Sequence, residues 1–112
     1  MKAPLPGTRV RGSLTGRPIM ALLDLLGRRW SLRILWELHR GPQTFRALRT
    51  SCDEMSPSVL NLRLSELREA GIVEHTDDGY ALTASGRELL RAFRPLNDWS
   101  KRWARRSTMA AR

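Results

Sequence analysis

The chain has 112 residues and a formal net charge of +9, from 20 basic and 11 acidic side chains. This length suits one domain with a modest hydrophobic core. No apolar run is long enough to span a membrane, and the basic start lacks the apolar segment of a signal peptide, so we expect a cytoplasmic protein with no membrane partner.

The positive charge is concentrated at the two ends of the chain. Residues 1–17 carry four basic side chains and residues 99–112 carry five, and neither segment contains an acid. Residues 18–98 balance 11 arginines against 11 acids, but residues 28–68 within them have a net charge of +4. A basic chain favours a nucleic acid or another anionic partner.

Residues 1–17 are rich in proline, glycine and arginine and show no helix or strand period. This composition predicts a flexible basic arm, which either reaches into a DNA minor groove or is simply a solvated tail. A single domain is then expected over residues 18–106, followed by a flexible tail at 107–112.

Two short helices are predicted at the start of the domain. Pro18 opens the first helix, which carries Leu22 on its apolar stripe and stops at Gly27. The second covers residues 30–39 and carries Trp36 on its apolar side. Helices this short are marginal alone, so packing against the rest of the domain must hold them.

Two further helices follow, joined by a tight connection. Thr44 is expected to cap the first, and Ser56 to cap the second, which runs to Gly71. Three leucines of the second helix share one face, at positions 60, 64 and 67, which leaves small polar side chains on the other face. This pattern predicts either a helix-turn-helix, whose second helix enters the DNA major groove, or an ordinary helical hairpin.

The residues after these helices favour the helix-turn-helix. Residues 72–76 and 80–82 are β-prone, and the Asp77-Asp78-Gly79 sequence between them is a tight-turn signal. A hairpin directly after a helix-turn-helix is the wing of a winged helix. We therefore predict a mainly α fold with a small β-hairpin, a winged helix-turn-helix.

Thr83 is expected to cap the last helix, which Pro95 should kink or divide. The apolar positions of this helix exceed what a small core needs. They either pack on their own domain or, as we expect, form a homodimer through the first and last helices. The predicted interface residues are Leu22, Leu89, Phe93, Leu96, Trp99 and Trp103.

Binding to double-stranded DNA would divide the polar side chains into two groups, since phosphate contacts position a protein and base contacts specify the sequence. The predicted base contacts are Ser56, Ser58, Asn61, Leu62 and Ser65. The predicted phosphate contacts are Thr44, Arg46, Arg49, Arg63 and His75. For each arginine the alternative is an ordinary solvated surface charge.

An ordered set of segments resembles the HxlR-type family of bacterial winged-helix transcription regulators. The segments are ALLDLLGRRW at 21–30, ILWEL at 34–38, GP at 41–42, FRALR at 45–49, MSPSVL at 55–60, RLSEL at 63–67, AGIV at 70–73, YALT at 80–83, GREL at 86–89 and Trp99. The resemblance implies a homodimer that binds near-palindromic operator DNA and regulates nearby genes, and we expect a repressor.

The chain departs from the family pattern in two places. Redox-sensing members have a cysteine just before the proline that opens the first helix, where this chain has Arg17. The wing tip carries Asp77 and Asp78, which repel phosphate, where basic residues usually help to hold it.

The single cysteine, Cys52, lies beside Asp53 and Glu54, whose charges should raise its pKa and slow its oxidation. We therefore predict that Cys52→Ser retains operator binding and that oxidants release little DNA. If the protein responds to a signal, we expect a small-molecule effector in an apolar cleft. The residues expected to line the cleft are Trp36, Phe93 and Trp99.

Other classes of function have less support. A protein-interaction module, with the last helix as its contact surface, is the alternative to DNA binding. The two histidines, His39 and His75, have no metal-ligand spacing with Cys52, so no metal is predicted. Phosphate-binding glycine runs, zinc-protease motifs and nucleophile elbows do not occur in the sequence, so we expect neither a cofactor nor an enzyme.

Overall fold

The computed structural model describes residues 3–7 and 17–110, which form five helices and one antiparallel hairpin. This architecture confirms the mainly α fold with a small hairpin. The elements in chain order are α1 (Pro18–Leu26), α2 (Ser31–Leu38), α3 (Phe45–Ser51), α4 (Pro57–Glu69), β1 (Val73–Thr76), β2 (Gly79–Leu82) and α5 (Ala84–Ala110).

Side-chain caps fix where the two central helices begin. Thr44 Oγ1 accepts a hydrogen bond from the N–H of Ala47 at 3.1 Å, and Ser56 Oγ accepts one from the N–H of Val59 at 3.5 Å. Pro57 takes the first position of α4, where a missing N–H costs nothing. The two caps therefore set the first residue of α3 and of α4.

The end of α4 directs the chain into the hairpin. Gly71 has a φ of +77°, which glycine adopts without strain. The N–H of Gly71 donates to the carbonyl of Arg68 at 3.0 Å, and that of Ile72 donates to the carbonyl of Leu67 at 3.0 Å. This Schellman motif satisfies the last carbonyls of the helix and turns the chain into β1 within two residues.

The core lies between the inner face of α4, the helices α2 and α3, and the hairpin. Leu60, Leu64 and Leu67 of α4 are 1% exposed or less. The other buried apolar side chains around them include Ile34, Leu35, Leu38, Leu48, Met55, Val73 and Leu82. Because this face of α4 is fully buried, its opposite face must point to solvent.

The hairpin is tied to the segment that precedes α3. His75 is paired with Tyr80 across the strands, and Tyr80 also exchanges two backbone hydrogen bonds with Gln43, at 2.7 and 2.9 Å. At Gly79 a β-carbon would lie 2.4 Å from the Gln43 carbonyl oxygen, so this approach requires glycine. The wing and the start of α3 therefore form one unit.

The first described residues lie against the domain. Ala3 is buried, and its N–H donates to Glu69 Oε2 at 3.2 Å. Leu5 also packs on the core. Residues 8–16 of the predicted arm lie outside the described residues, so the flexibility of the arm stays a prediction.

The last helix is longer than the sequence suggested. α5 continues as one helix across Pro95 and through most of the predicted tail, to Ala110. Of the two predicted effects of Pro95, a kink or a division, the division does not occur. Pro95 is exposed, so the carbonyl left without a partner can be hydrated. Within the described ranges, every helix is too short or too polar to cross a membrane.

Candidate nucleic-acid interface

The outward face of α4 presents the predicted base contacts. Ser58, Asn61 and Ser65 are exposed, and Leu62 is 38% exposed. Within the described part of the chain, Asn61 and Ser65 make no side-chain hydrogen bond, so their polar atoms are free for a ligand. Ser56 is different, because its hydroxyl caps the helix and lies 3.0 Å from that of Ser58.

Two arginines of α3 and α4 have guanidinium groups that are free to contact phosphate. Arg46 of α3 is exposed, and its side chain has no hydrogen bond or ion pair to any described residue. The same holds for the side chain of Arg68, which sequence reasoning missed. The spacing of Arg68 could have identified it. Arg68 follows Ser65 by three residues and Asn61 by seven, so the three residues share one helical face.

Two other predicted phosphate contacts already have structural partners. Arg49 Nε donates to the carbonyl of Met55 at 2.7 Å, and its Nη1 lies 3.2 Å from Glu54 Oε2. Arg49 therefore closes the connection between α3 and α4. Thr44 also uses its hydroxyl within the protein, as the cap of α3.

Arg63 points inward, toward the turn between α1 and α2. Its Nη1 donates to Glu66 Oε1 at 2.8 Å, and its Nε donates to the Arg29 carbonyl at 2.8 Å. Arg28 Nη1 forms an ion pair with the other oxygen of Glu66. Arg28, Arg63 and Glu66 form the buried cluster, in which the two arginines supply the counter-charge that a buried carboxylate needs. Because the guanidinium of Arg63 is bound within the protein, Arg63 is a poor candidate for a phosphate contact.

Burial governs the electrostatics of this cluster. The Glu66 side chain is 2% exposed, and that of Arg63 is 17% exposed. Burial lowers the pKa of Arg63, and the charge of Arg28 lowers it further. A guanidinium stays protonated at neutral pH, so both arginines balance the carboxylate.

The wing contributes an aromatic stack and acidic side chains. The His75 ring stacks on Tyr80 with centroids 4.4 Å apart, which fixes the ring on the hairpin. Asp77 and Asp78 are exposed at the tip. The positive charge available to phosphate therefore lies on α3 and α4 rather than at the wing tip.

Large apolar side chains are also exposed on α5. Leu96, Trp99 and Trp103 of α5 are 55%, 45% and 56% exposed, and the two indoles stack with centroids 6.0 Å apart. Leu22 and Leu89 are half-buried. Leu96, Trp99 and Trp103 recur at helical spacing, so they form an apolar stripe along α5 beyond the core.

The structure brings part of the predicted cleft together. Trp36 and Phe93 line one cavity of about 290 Å³ between α2 and α5. Trp99 does not line it, because its side chain lies farther along the exposed stripe of α5.

The thiol of Cys52 lies in the core at the end of α3. Its relative exposure is 0%, and this burial is the main reason that its pKa is raised. Arg33 lowers the pKa, whereas Glu37 and Asp53 raise it. The sequence attributes the raised pKa of Cys52 to the adjacent acids, but desolvation is the larger cause.

Comparisons with known proteins agree with this arrangement. A model of the HxlR-like helix-turn-helix family matches residues 25–108, which include α2, α3, α4, the hairpin and all but the last two residues of α5. YvaP of Bacillus subtilis, named an HTH-type transcriptional regulator, is 28% identical over 72% of this chain and 82% of its own length. An HTH-type regulator of Methanocaldococcus jannaschii is 25% identical over 75% and 83%.

Solved structures give the same result. The quinone-bound structure of YodB from Bacillus subtilis is 31% identical, with a TM-score of 0.71 over 75% of this chain and 96% of that chain. A protein from Thermoplasma volcanium, described as a possible HxlR family transcriptional factor, is 27% identical. Its TM-score is 0.69 over 88% of this chain and 95% of that chain.

The burial of Cys52 predicts an unreactive thiol. At neutral pH we expect dithiodipyridine to modify the folded protein at least about tenfold more slowly than the urea-unfolded chain, because the thiolate is disfavoured and shielded. The absorbance of released thiopyridone measures both rates. Equal rates in the folded and unfolded chain would contradict the placement of this thiol.

Proposed function

The chain belongs to the HxlR-like helix-turn-helix family of DNA-binding transcriptional regulators, and we propose that it represses nearby genes as a homodimer on near-palindromic operator DNA. The observation that carries this proposal is the outward face of α4, where free polar side chains lie beside two unpaired arginines. Repression follows where the bound dimer covers a promoter and excludes the transcription machinery.

Base reading is assigned to the outward face of α4 in the major groove. The Asn61 amide can make paired hydrogen bonds to an adenine edge, and Leu62 can contact a thymine methyl. The hydroxyls of Ser58 and Ser65 can donate to or accept from either base of a pair. Ser56 lies at the helix start, where its main task is the cap.

Phosphate contacts hold the dimer in register on the duplex. Arg46 and Arg68 are the principal candidates because no described residue occupies their guanidinium groups. His75 adds a donor from the wing, where stacking on Tyr80 limits its movement. Thr44 and Arg49 support the same surface indirectly, by fixing the start of α3 and the connection to α4.

Dimer formation is assigned to α1 and α5. A small domain rarely leaves three large apolar side chains of one helix about half exposed, as α5 does. Two-fold pairing of this stripe would place the two α4 helices in successive major grooves, roughly 34 Å apart. The assigned interface residues are Leu22, Leu89, Phe93, Leu96, Trp99 and Trp103.

An apolar small molecule in the cavity between α2 and α5 is the proposed effector. Trp36 and Phe93 line this cavity, and Phe93 is also an assigned interface residue. A ligand there can displace α5 from the domain and change the spacing of the two α4 helices. Cys52 is not assigned a sensing role, because its thiol is buried.

We expect Asn61→Ala and Arg46→Ala to weaken DNA binding in different ways. Asn61→Ala should change the preferred base at one position in each half-site, at a cost of about 1–3 kcal/mol against the best duplex. Arg46→Ala should weaken binding to all duplexes and reduce the slope of log K against log salt by about 1. Selection from a randomised duplex library and salt titrations measure these effects.

The matched control is Arg94→Ala, which removes an exposed arginine of α5. It should leave both the sequence preference and the salt slope unchanged. If Asn61→Ala and Arg46→Ala behave like this control, α4 is not the reading helix.

We expect Trp103→Glu to weaken the dimer, because it puts a charge into the apolar stripe that the dimer buries. Sedimentation velocity at about 20 µM should show a dimer for the wild type and a larger monomer fraction for the variant. Thr108→Glu adds the same charge to an exposed site on the same helix but away from the stripe, five residues after Trp103, and should stay dimeric. A wild-type protein that sediments as a monomer would contradict the assigned interface.

A further inference from the structure

Glu66 is unusual among the charged side chains of the domain. It is the one charged side chain among the described residues that is buried, with an exposure of 2%. It lies on α4, the helix assigned to base reading. One of its oxygens contacts Arg63 and the other contacts Arg28. Removing a carboxylate and two guanidinium groups from water carries a large desolvation penalty. The attraction among these charges therefore adds little to the stability of the fold.

The buried cluster connects α4 with the turn between α1 and α2. Arg63 bonds both Glu66, one turn along α4, and the backbone carbonyl of Arg29 in the turn. Arg28, also in the turn, reaches back to Asp24 Oδ2 of α1 at 3.4 Å as well as to Glu66. Two separate bridges therefore join the reading helix to one short segment.

That segment has a restrained backbone. Trp30, which follows Arg29 directly, has a φ of +79°, a left-handed conformation that bulky residues rarely adopt. Such a conformation persists only where the surroundings determine it. The hydrogen bond from Arg63 to the Arg29 carbonyl is one of these restraints, and the Arg29 guanidinium also lies 5.8 Å from the centre of the Trp30 ring.

Apolar packing determines which face of α4 points inward, but it defines the rotation of the helix less finely than directional bonds do. The contacts of Leu60, Leu64 and Leu67 are non-directional. The bonds of a guanidinium to a carboxylate and to a carbonyl are directional. Base contacts require the side chains of α4 to be placed within a fraction of an ångström of their productive geometry.

We propose that Arg63 and Glu66 are positioning residues for DNA recognition. Through Arg28 and the Arg29 carbonyl they fix the rotation of α4 against the α1–α2 turn, and so determine which outward side chains meet the base edges. The proposal rests on the assigned role of α4 in base reading. It gives Arg63 an effect on sequence discrimination rather than on phosphate binding.

The test replaces the whole cluster with apolar residues of similar size, as Arg28→Met/Arg63→Met/Glu66→Leu. Such replacements leave folding stability nearly unchanged or raise it, so the melting temperature should stay close to that of the wild type. The probes are a duplex that the wild type selects from a randomised library and a scrambled duplex of the same composition. We expect the ratio of the two Kd values to fall about tenfold or more.

The salt dependence separates positioning from phosphate contact. The triple variant should bind the scrambled duplex with the wild-type salt slope, because no phosphate contact is lost. Arg46→Met is the matched control, since it removes a free arginine from the same surface. It should lower the salt slope by about 0.9 and leave the Kd ratio of the two duplexes unchanged.

Arg63→Lys provides a second variant if the triple variant does not fold. A lysine keeps the positive charge but cannot bond Glu66 and the Arg29 carbonyl in the same fixed geometry, so discrimination should fall while the salt slope holds. An unchanged Kd ratio in whichever variant folds overturns the proposal. So does a salt slope that falls by about one in the triple variant, which lacks the charge of Arg63, because that loss would make Arg63 a phosphate contact.

These failures differ from a failure of the proposed function. A wild-type protein that selects no duplex from the library overturns base reading by α4, and the positioning role falls with it. A wild type that selects a duplex, with variants that retain its discrimination, overturns the positioning role alone.

Discussion

Burial of one face of α4 is the constraint on which the rest of the structure depends. Leu60, Leu64 and Leu67 are at most 1% exposed, so the orientation of every other residue of the helix follows from its position. This periodicity sends Asn61 and Ser65 outward, and the Schellman motif at Gly71 then places the wing beside them. One face of α4 therefore packs in the core, and the opposite face forms the reading surface.

Some arginines of the domain are paired within the protein, so fewer positive charges are available to DNA than the sequence contains. The guanidinium of Arg49 is bound to the α3–α4 connection, and that of Arg63 is bound to Glu66. Arg46 and Arg68 keep their guanidinium groups free of other described residues. A guanidinium that already neutralises a carboxylate gains little from a phosphate, so we expect few phosphate contacts per domain and a modest salt dependence.

Local signals made most of the fold predictable. The caps at Thr44 and Ser56 and the turn before Gly79 act over a few residues, and the structure has them where they were expected. The inward orientation of Arg63 depends on the Arg29 carbonyl, in the turn between α1 and α2, which no local pattern reveals. The burial of Cys52 likewise depends on the packed core, so sequence neighbours identified the direction of its pKa shift but not its main cause.

The central claim is that the outward face of α4 lies in the major groove, and dimethyl sulfate footprinting tests it most directly. The reagent methylates guanine N7 in the major groove and adenine N3 in the minor groove, so one experiment reports on both. With a duplex that the protein selects, the account predicts protection of guanine N7 in two clusters about one helical turn apart. Protection of adenine N3 with unprotected guanines throughout the bound site would contradict it.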